Sequence, residues 1–152
     1  MESNDQAIID KLNHLIDIAE DGKYGYENAG QDVTDEKVRS LFLHYADERK
    51  EYIRILQEQI LKLGGETKVS DGGPIGSMHR TWMDFKSLVT GGDRDPILKI
   101  CITGEESAIH TYQNAIDESY ITGTLRQIVE GQCVGIQNAL AIMKAHLADE
   151  SV

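Results

Sequence analysis

Apolar residues recur at every third or fourth position along most of this chain, and strict alternation is absent, so helix is the regular structure the pattern supports. Helix A is expected over residues 4–30, with Ile8, Leu12, Leu15, Ala19, Gly22 and Tyr26 on one stripe. Asp32-Val33-Thr34-Asp35 then reads as a tight turn in which Thr34 caps the next helix, with Asp35 and Glu36 at its positive end. Helix B is expected over 34–63, carrying Val38, Leu41, Tyr45, Glu48, Tyr52, Leu56, Ile60 and Leu63 until Gly64-Gly65 stops it. After a glycine-rich break, a short amphipathic helix over 77–89 aligns Met78, Trp82, Phe85 and Val89. Asp95-Pro96 opens helix C, expected over 95–119 with Leu98, Cys101, Glu105, Ala108, Tyr112 and Ala115 in line. Helix D, over 123–148, completes the pattern with Leu125, Val129, Gln132, Ile136, Ala139, Met143 and Leu147.

Connection lengths set the topology. Turns of a few residues make A–B and C–D antiparallel hairpins. The B–C link of about thirty residues is too long for a neighbour turn, and its short helix alone spans about 20 Å at ~1.5 Å per residue. Two antiparallel hairpins joined by one long crossover give an all-α, ferritin-like four-helix bundle, and 152 residues suit one such domain over 1–152.

Charge narrows the partners more than the activity. Fifteen basic against twenty-six acidic side chains leave a formal net charge of −11. A field of that sign repels phosphate backbones and anionic lipid heads, so neither nucleic acid nor membrane insertion is expected. The opening residues do not read as a basic, apolar signal peptide, and no apolar run approaches ~18 residues, so the expected compartment is the cytoplasm. Cys101 and Cys133 lack CxxC or CxxH spacing and fall beside apolar stripes, where a free cysteine behaves as a small hydrophobe. Gly-rich phosphate loops, nucleophile elbows and HExxH motifs do not occur.

Three polar residues interrupt the stripes near mid-helix: Glu48 on B, Glu105 on C and Gln132 on D. In an antiparallel bundle they reach a similar height, and a buried carboxylate is costly unless it is paired, hydrogen-bonded or bound to metal. One reading is a metal site built from Glu48, Glu105, Glu51 and His44, with Glu20 beside the helix A stripe, holding iron or manganese. Di-iron bundles take a glutamate from each of two helices and Glu-x-x-His from each of the other two. Here helix B has Glu48-x-x-Glu51, helix D has Gln132-x-x-Gly135, and helix A has Ala19 and Gly22 on its stripe. The other reading is a buried polar network of Glu48, Arg49, Glu105 and Gln132, completed by the hydroxyls of Tyr26, Tyr45 or Tyr112, with Arg80 as a second candidate cation.

Several landmarks occur together: Leu12-Asn13-x-Leu15-Ile16, Asp21-Gly22-x-x-Gly25-Tyr26, Tyr45-Ala46-x-Glu48-Arg49, Leu63-Gly64-Gly65, Met78-His79-Arg80-x-Trp82, Gly104-Glu105 with Tyr112, and Gln132. In these the chain resembles a bacterial family of small ferritin-like four-helix proteins catalogued as a domain of unknown function. The resemblance implies a ferritin-like fold in a bacterial cytoplasmic protein and assigns no reaction; kinship with ferritins and rubrerythrins suggests metal chemistry only by analogy.

The leading functional expectation is a non-enzymatic bundle acting by association in stress-related physiology, a homo-oligomer such as a dimer, with a polar network in place of a metal centre. A competing expectation is a metal-binding oxidoreductase or metal-handling protein using the core carboxylates. A third is a binding module whose groove beside the crossover helix presents Met78, Trp82 and Met83 to a small molecule or partner helix.

Overall fold

Four helices form along the stripes: α1 (Glu2–Asp32), α2 (Glu36–Lys62), α3 (Arg94–Ile116) and α4 (Gly123–Ala148). The protein's structure, a computed structural model, describes residues 2–67 and 91–149. The crossover helix expected over 77–89, with His79, Arg80 and Trp82, lies outside the described residues. Among the described residues there are no strands, and no helix is long and apolar enough to cross a membrane.

The hairpin turns close by backbone capping. Asp35, one residue later than the expected Thr34, caps α2: its side chain accepts from the Val38 amide at 3.0 Å. Thr34 is drawn instead to the start of α3, where its amide donates to the Gly92 carbonyl at 3.1 Å. Gly92 adopts φ +69°, and a Cβ there would run into the Asp32 carbonyl, so glycine is required where the two loops cross. Arg39 reaches back from α2 and donates to the carbonyls of Gly30 and Val33 at 3.0 and 2.6 Å, satisfying the end of α1, whose last turn lacks a basic residue. At the other hairpin, Arg126 donates to the Ile116 carbonyl at 2.6 Å.

α1 packs chiefly on α2 and α3 on α4, while α1–α3 and α2–α4 contacts bring the two hairpins together. The interior divides into two apolar halves. One gathers Leu12, Leu15, Leu56, Ile60, Ile121 and Ile136; the other gathers Val33, Phe42, Ile97, Leu98, Ala139 and Met143. Arg49, Glu105 and Gln132 are buried but belong to neither half. The α3 and α4 stripes are buried as their spacing requires, including Glu105 and Gln132. On α2 the buried face is turned by about one residue, or about 100°, from the expected stripe in its middle, so that Phe42, Arg49 and Ile53 point inward where Leu41, Glu48 and Tyr52 were expected.

Candidate functional site, a buried ion pair at mid-bundle

Glu105 is placed by the apolar stripe of α3, between Cys101 and Ala108, and is 3% exposed. Arg49, one turn beyond Tyr45 on α2, is equally buried, and its Nη2 donates to Glu105 Oε2. Tyr26 of α1 donates its hydroxyl to the same oxygen at 2.5 Å. The guanidinium also lies 5.4 Å from the Tyr26 ring centroid, within reach of a cation–π attraction. Three helices therefore converge on one carboxylate. α1 allows it by presenting Gly22 opposite Arg49, since a Cβ there would lie 2.5 Å from Arg49 Nη1.

A second polar knot sits on α4. Gln132 Oε1 accepts from the Tyr112 hydroxyl at 2.7 Å, and its Nε2 donates to the Tyr52 carbonyl at 3.2 Å. The interior polar residues thus fall in two groups, Arg49, Glu105 and Tyr26, and Gln132 with Tyr112; Glu48 lies outside both and Arg80 lies outside the described residues.

Burial raises the Glu105 carboxyl, and Arg49 and Tyr26 draw it partly back down. Burial disfavours the Arg49 charge, but Glu105, together with Tyr26, Tyr112 and Tyr52, outweighs it and holds the guanidinium above its ordinary value. Arginine does not lose its proton in proteins, so neutralising Glu105 would strand a buried cation. The ion pair is therefore the arrangement that leaves neither buried group without its partner. Burial likewise lifts the phenols of Tyr26 and Tyr112, and that of Tyr45 to about 12. It pushes the Cys101 thiol far above its usual range, which makes this cysteine a poor nucleophile.

The remaining candidate ligands lie apart from this centre. The Glu48 side chain is 38% exposed and pairs with His44 at 3.2 Å along the same helix. Glu51 is exposed and pairs with Arg54 at 2.7 Å, and Glu20 pairs with Lys23 at 3.5 Å. Among the described residues, no three histidine, cysteine, aspartate or glutamate side chains are grouped so as to hold a metal ion. The inner donor set also does not fit a carboxylate-bridged metal centre. Among the described residues the one fully buried glutamate is engaged by a fixed cation, and that cation would repel a divalent ion placed beside it.

The Tyr45 hydroxyl, a third candidate for the network, is instead buried without a hydrogen-bond partner among the described residues, although the ring packs 5.4 Å from that of Tyr26. One feature escaped sequence reasoning. A cavity of about 230 Å³ opens between α1 and α3, lined among others by Ile18, Asp21, Tyr26, Cys101, Glu105 and Ala108.

The family model described as "Domain of unknown function (DUF2383)" matches residues 7–118. None of the curated proteins is similar in sequence at a significant level. Solved structures with the same fold include the dodecameric thioferritin of Bacteroides fragilis, a bacterioferritin-related protein. It shares 17% identity over 95% of this chain and 86% of its own, with a TM-score of 0.77. A mutant of Mycobacterium smegmatis Dps1 aligns at 16% identity over 97% of this chain and 99% of its own, TM-score 0.79. The Dps protein of Vibrio cholerae O1, described as a member of a broad superfamily of ferritin-like diiron-carboxylate proteins, aligns at 13% identity over 95% and 91%, TM-score 0.75. At these identities the likeness is one of fold.

Proposed function

The chain belongs to the DUF2383 family, and from that membership together with its arginine-held central glutamate we propose a ferritin-like protein that works by association, without a metal-centred oxidation. One observation carries this reading: Arg49 is the counter-ion of Glu105 in the middle of the bundle, 3% exposed and covered by Gly22 of α1. Where a bridged metal pair needs carboxylates from several helices, α1 supplies glycine, α2 supplies arginine and α4 supplies glutamine. The positive charge that an inner carboxylate requires is built into the polypeptide. What the fold then offers is a stable four-helix body with outward faces for assembly, in a bacterial cytoplasmic, stress-related setting. The dodecamer named for the Bacteroides fragilis thioferritin supports self-assembly as the form that association takes.

The test is elemental analysis of protein purified without chelator or immobilised metal, beside Glu105→Gln. Iron, manganese and zinc are each expected well below one atom per chain in both. One iron or manganese per chain, lost in Glu105→Gln, would overturn the proposal.

A further inference from the structure

Large apolar side chains that stand exposed among the described residues are few: Leu43, Leu61, Val134 and Ile142. Two of them share α4. From Gly131 to Met143 that helix carries no charged residue, in a chain of net charge −11. Its outward residues there are Gly131, Val134, Gln137, Asn138, Ala141 and Ile142. Their spacing mirrors itself about Asn138. Val134 and Ile142 lie four residues to either side, and Gly131 and Ala145 seven. At ~100° per residue, Val134 and Ile142 flank Asn138 symmetrically by about 40° on the helix surface.

Gly131 adds an independent observation. A glycine inside a helix costs about 0.5–1 kcal/mol relative to alanine. Yet among the described residues nothing beyond its own stretch of helix lies within 4 Å of where a Cβ would stand, so no packing contact described there asks for glycine.

We propose that the outward face of α4 is a two-fold docking surface for a second copy of this chain, the two α4 helices lying antiparallel with Asn138 on the axis. The inference rests on the association reading above and names its surface. A two-fold operation exchanges positions equally far before and after the axis, so Val134 of one copy meets Ile142 of the other, twice. Gly131 and Ala145, seven positions to either side, let the backbones approach, whereas Gly135 already lies against the Tyr52 side chain of α2. The Asn138 carboxamide carries both donor and acceptor, so it pairs with its own copy across the axis. Charge selects the face as well. Copies carrying −11 each repel, and α4 is where approach brings apolar surface together without facing charges. A foreign partner has no use for mirrored spacing; a second copy does.

Two measurements test it on the full chain. In Asn138→Cys, mild oxidation should link most of the protein into covalent dimers, because a residue on a two-fold axis meets itself, whereas Lys144→Cys on the flank should stay unlinked. The native Cys101 and Cys133 are buried and free, which keeps the background low. By sedimentation velocity, Val134→Lys/Ile142→Lys should weaken self-association at least about tenfold, with unchanged helicity because both sites are exposed, and Leu61→Lys should leave it unaltered. Failure of Asn138→Cys to link, or a double lysine variant that assembles like the wild type, rejects this face while leaving the association reading intact. A wild-type chain that stays monomeric at roughly 0.1–1 mM rejects both.

Discussion

Gly22 of α1 lies against the guanidinium of Arg49, so closely that a Cβ on Gly22 would come within 2.5 Å of Nη1. This contact lets an arginine fit inside a four-helix bundle and keep its charge on Glu105. It also converts an apparent weakness of helix α1, a glycine in mid-helix, into a packing requirement.

Gly22→Ala and Gly131→Ala should therefore change stability in opposite directions. Both replace glycine within a helix, which by itself favours alanine by about 0.5–1 kcal/mol. At Gly131 there is open space, and dilute protein should gain about that much in urea unfolding. At Gly22 the methyl must push Arg49 off Glu105, a clash that costs about 1–3 kcal/mol and reverses the sign. Equal gains at the two sites would mean that Arg49 moves aside freely and that its position is not fixed by α1.

Alkaline pH should unfold the protein by way of its buried phenols. Tyr26, Tyr45 and Tyr112 have pKa values raised chiefly by burial, that of Tyr45 from 10.0 to about 12. A raised folded value means that the stability contribution is intact below pH 10 and disappears as pH climbs from about 10 to about 12, because the unfolded chain releases those protons first. Urea midpoints should hold below pH 10 and fall steeply above it. A spectrophotometric titration of the native protein should show some tyrosines ionising only as the fold is lost. If all six ionise near 10 while the helices persist, the burial of these phenols is wrong.

The fold was legible because every helix carries a continuous apolar stripe, which survives a shift of one residue in where the buried face lies. On α3 and α4 the polar residues at mid-stripe, Glu105 and Gln132, are flanked on both sides by residues that can only face inward, so their burial follows from spacing alone. Helix α2 is ambiguous. Leu41 and Phe42, then Tyr52 and Ile53, are adjacent apolar pairs, so periodicity admits two faces about 100° apart, one carrying Glu48 and the other Arg49. Charge resolves it: a second inward carboxylate would repel Glu105, whereas Arg49 neutralises it. That pairing depends on a neighbouring helix and is invisible to a reading of α2 by itself. The unpartnered Tyr45 hydroxyl and the cavity between α1 and α3 are likewise products of how helices meet, with no signature along the chain.

The central claim is that Arg49 supplies the positive charge for Glu105, and a double-mutant cycle on unfolding free energy tests it most directly. Arg49→Met strands a buried carboxylate and Glu105→Leu strands a buried guanidinium, so each should cost about 3–5 kcal/mol. The double variant, with neither charge, should recover at least about 2 kcal/mol of the summed loss. Single losses below about 1 kcal/mol that simply add would contradict it.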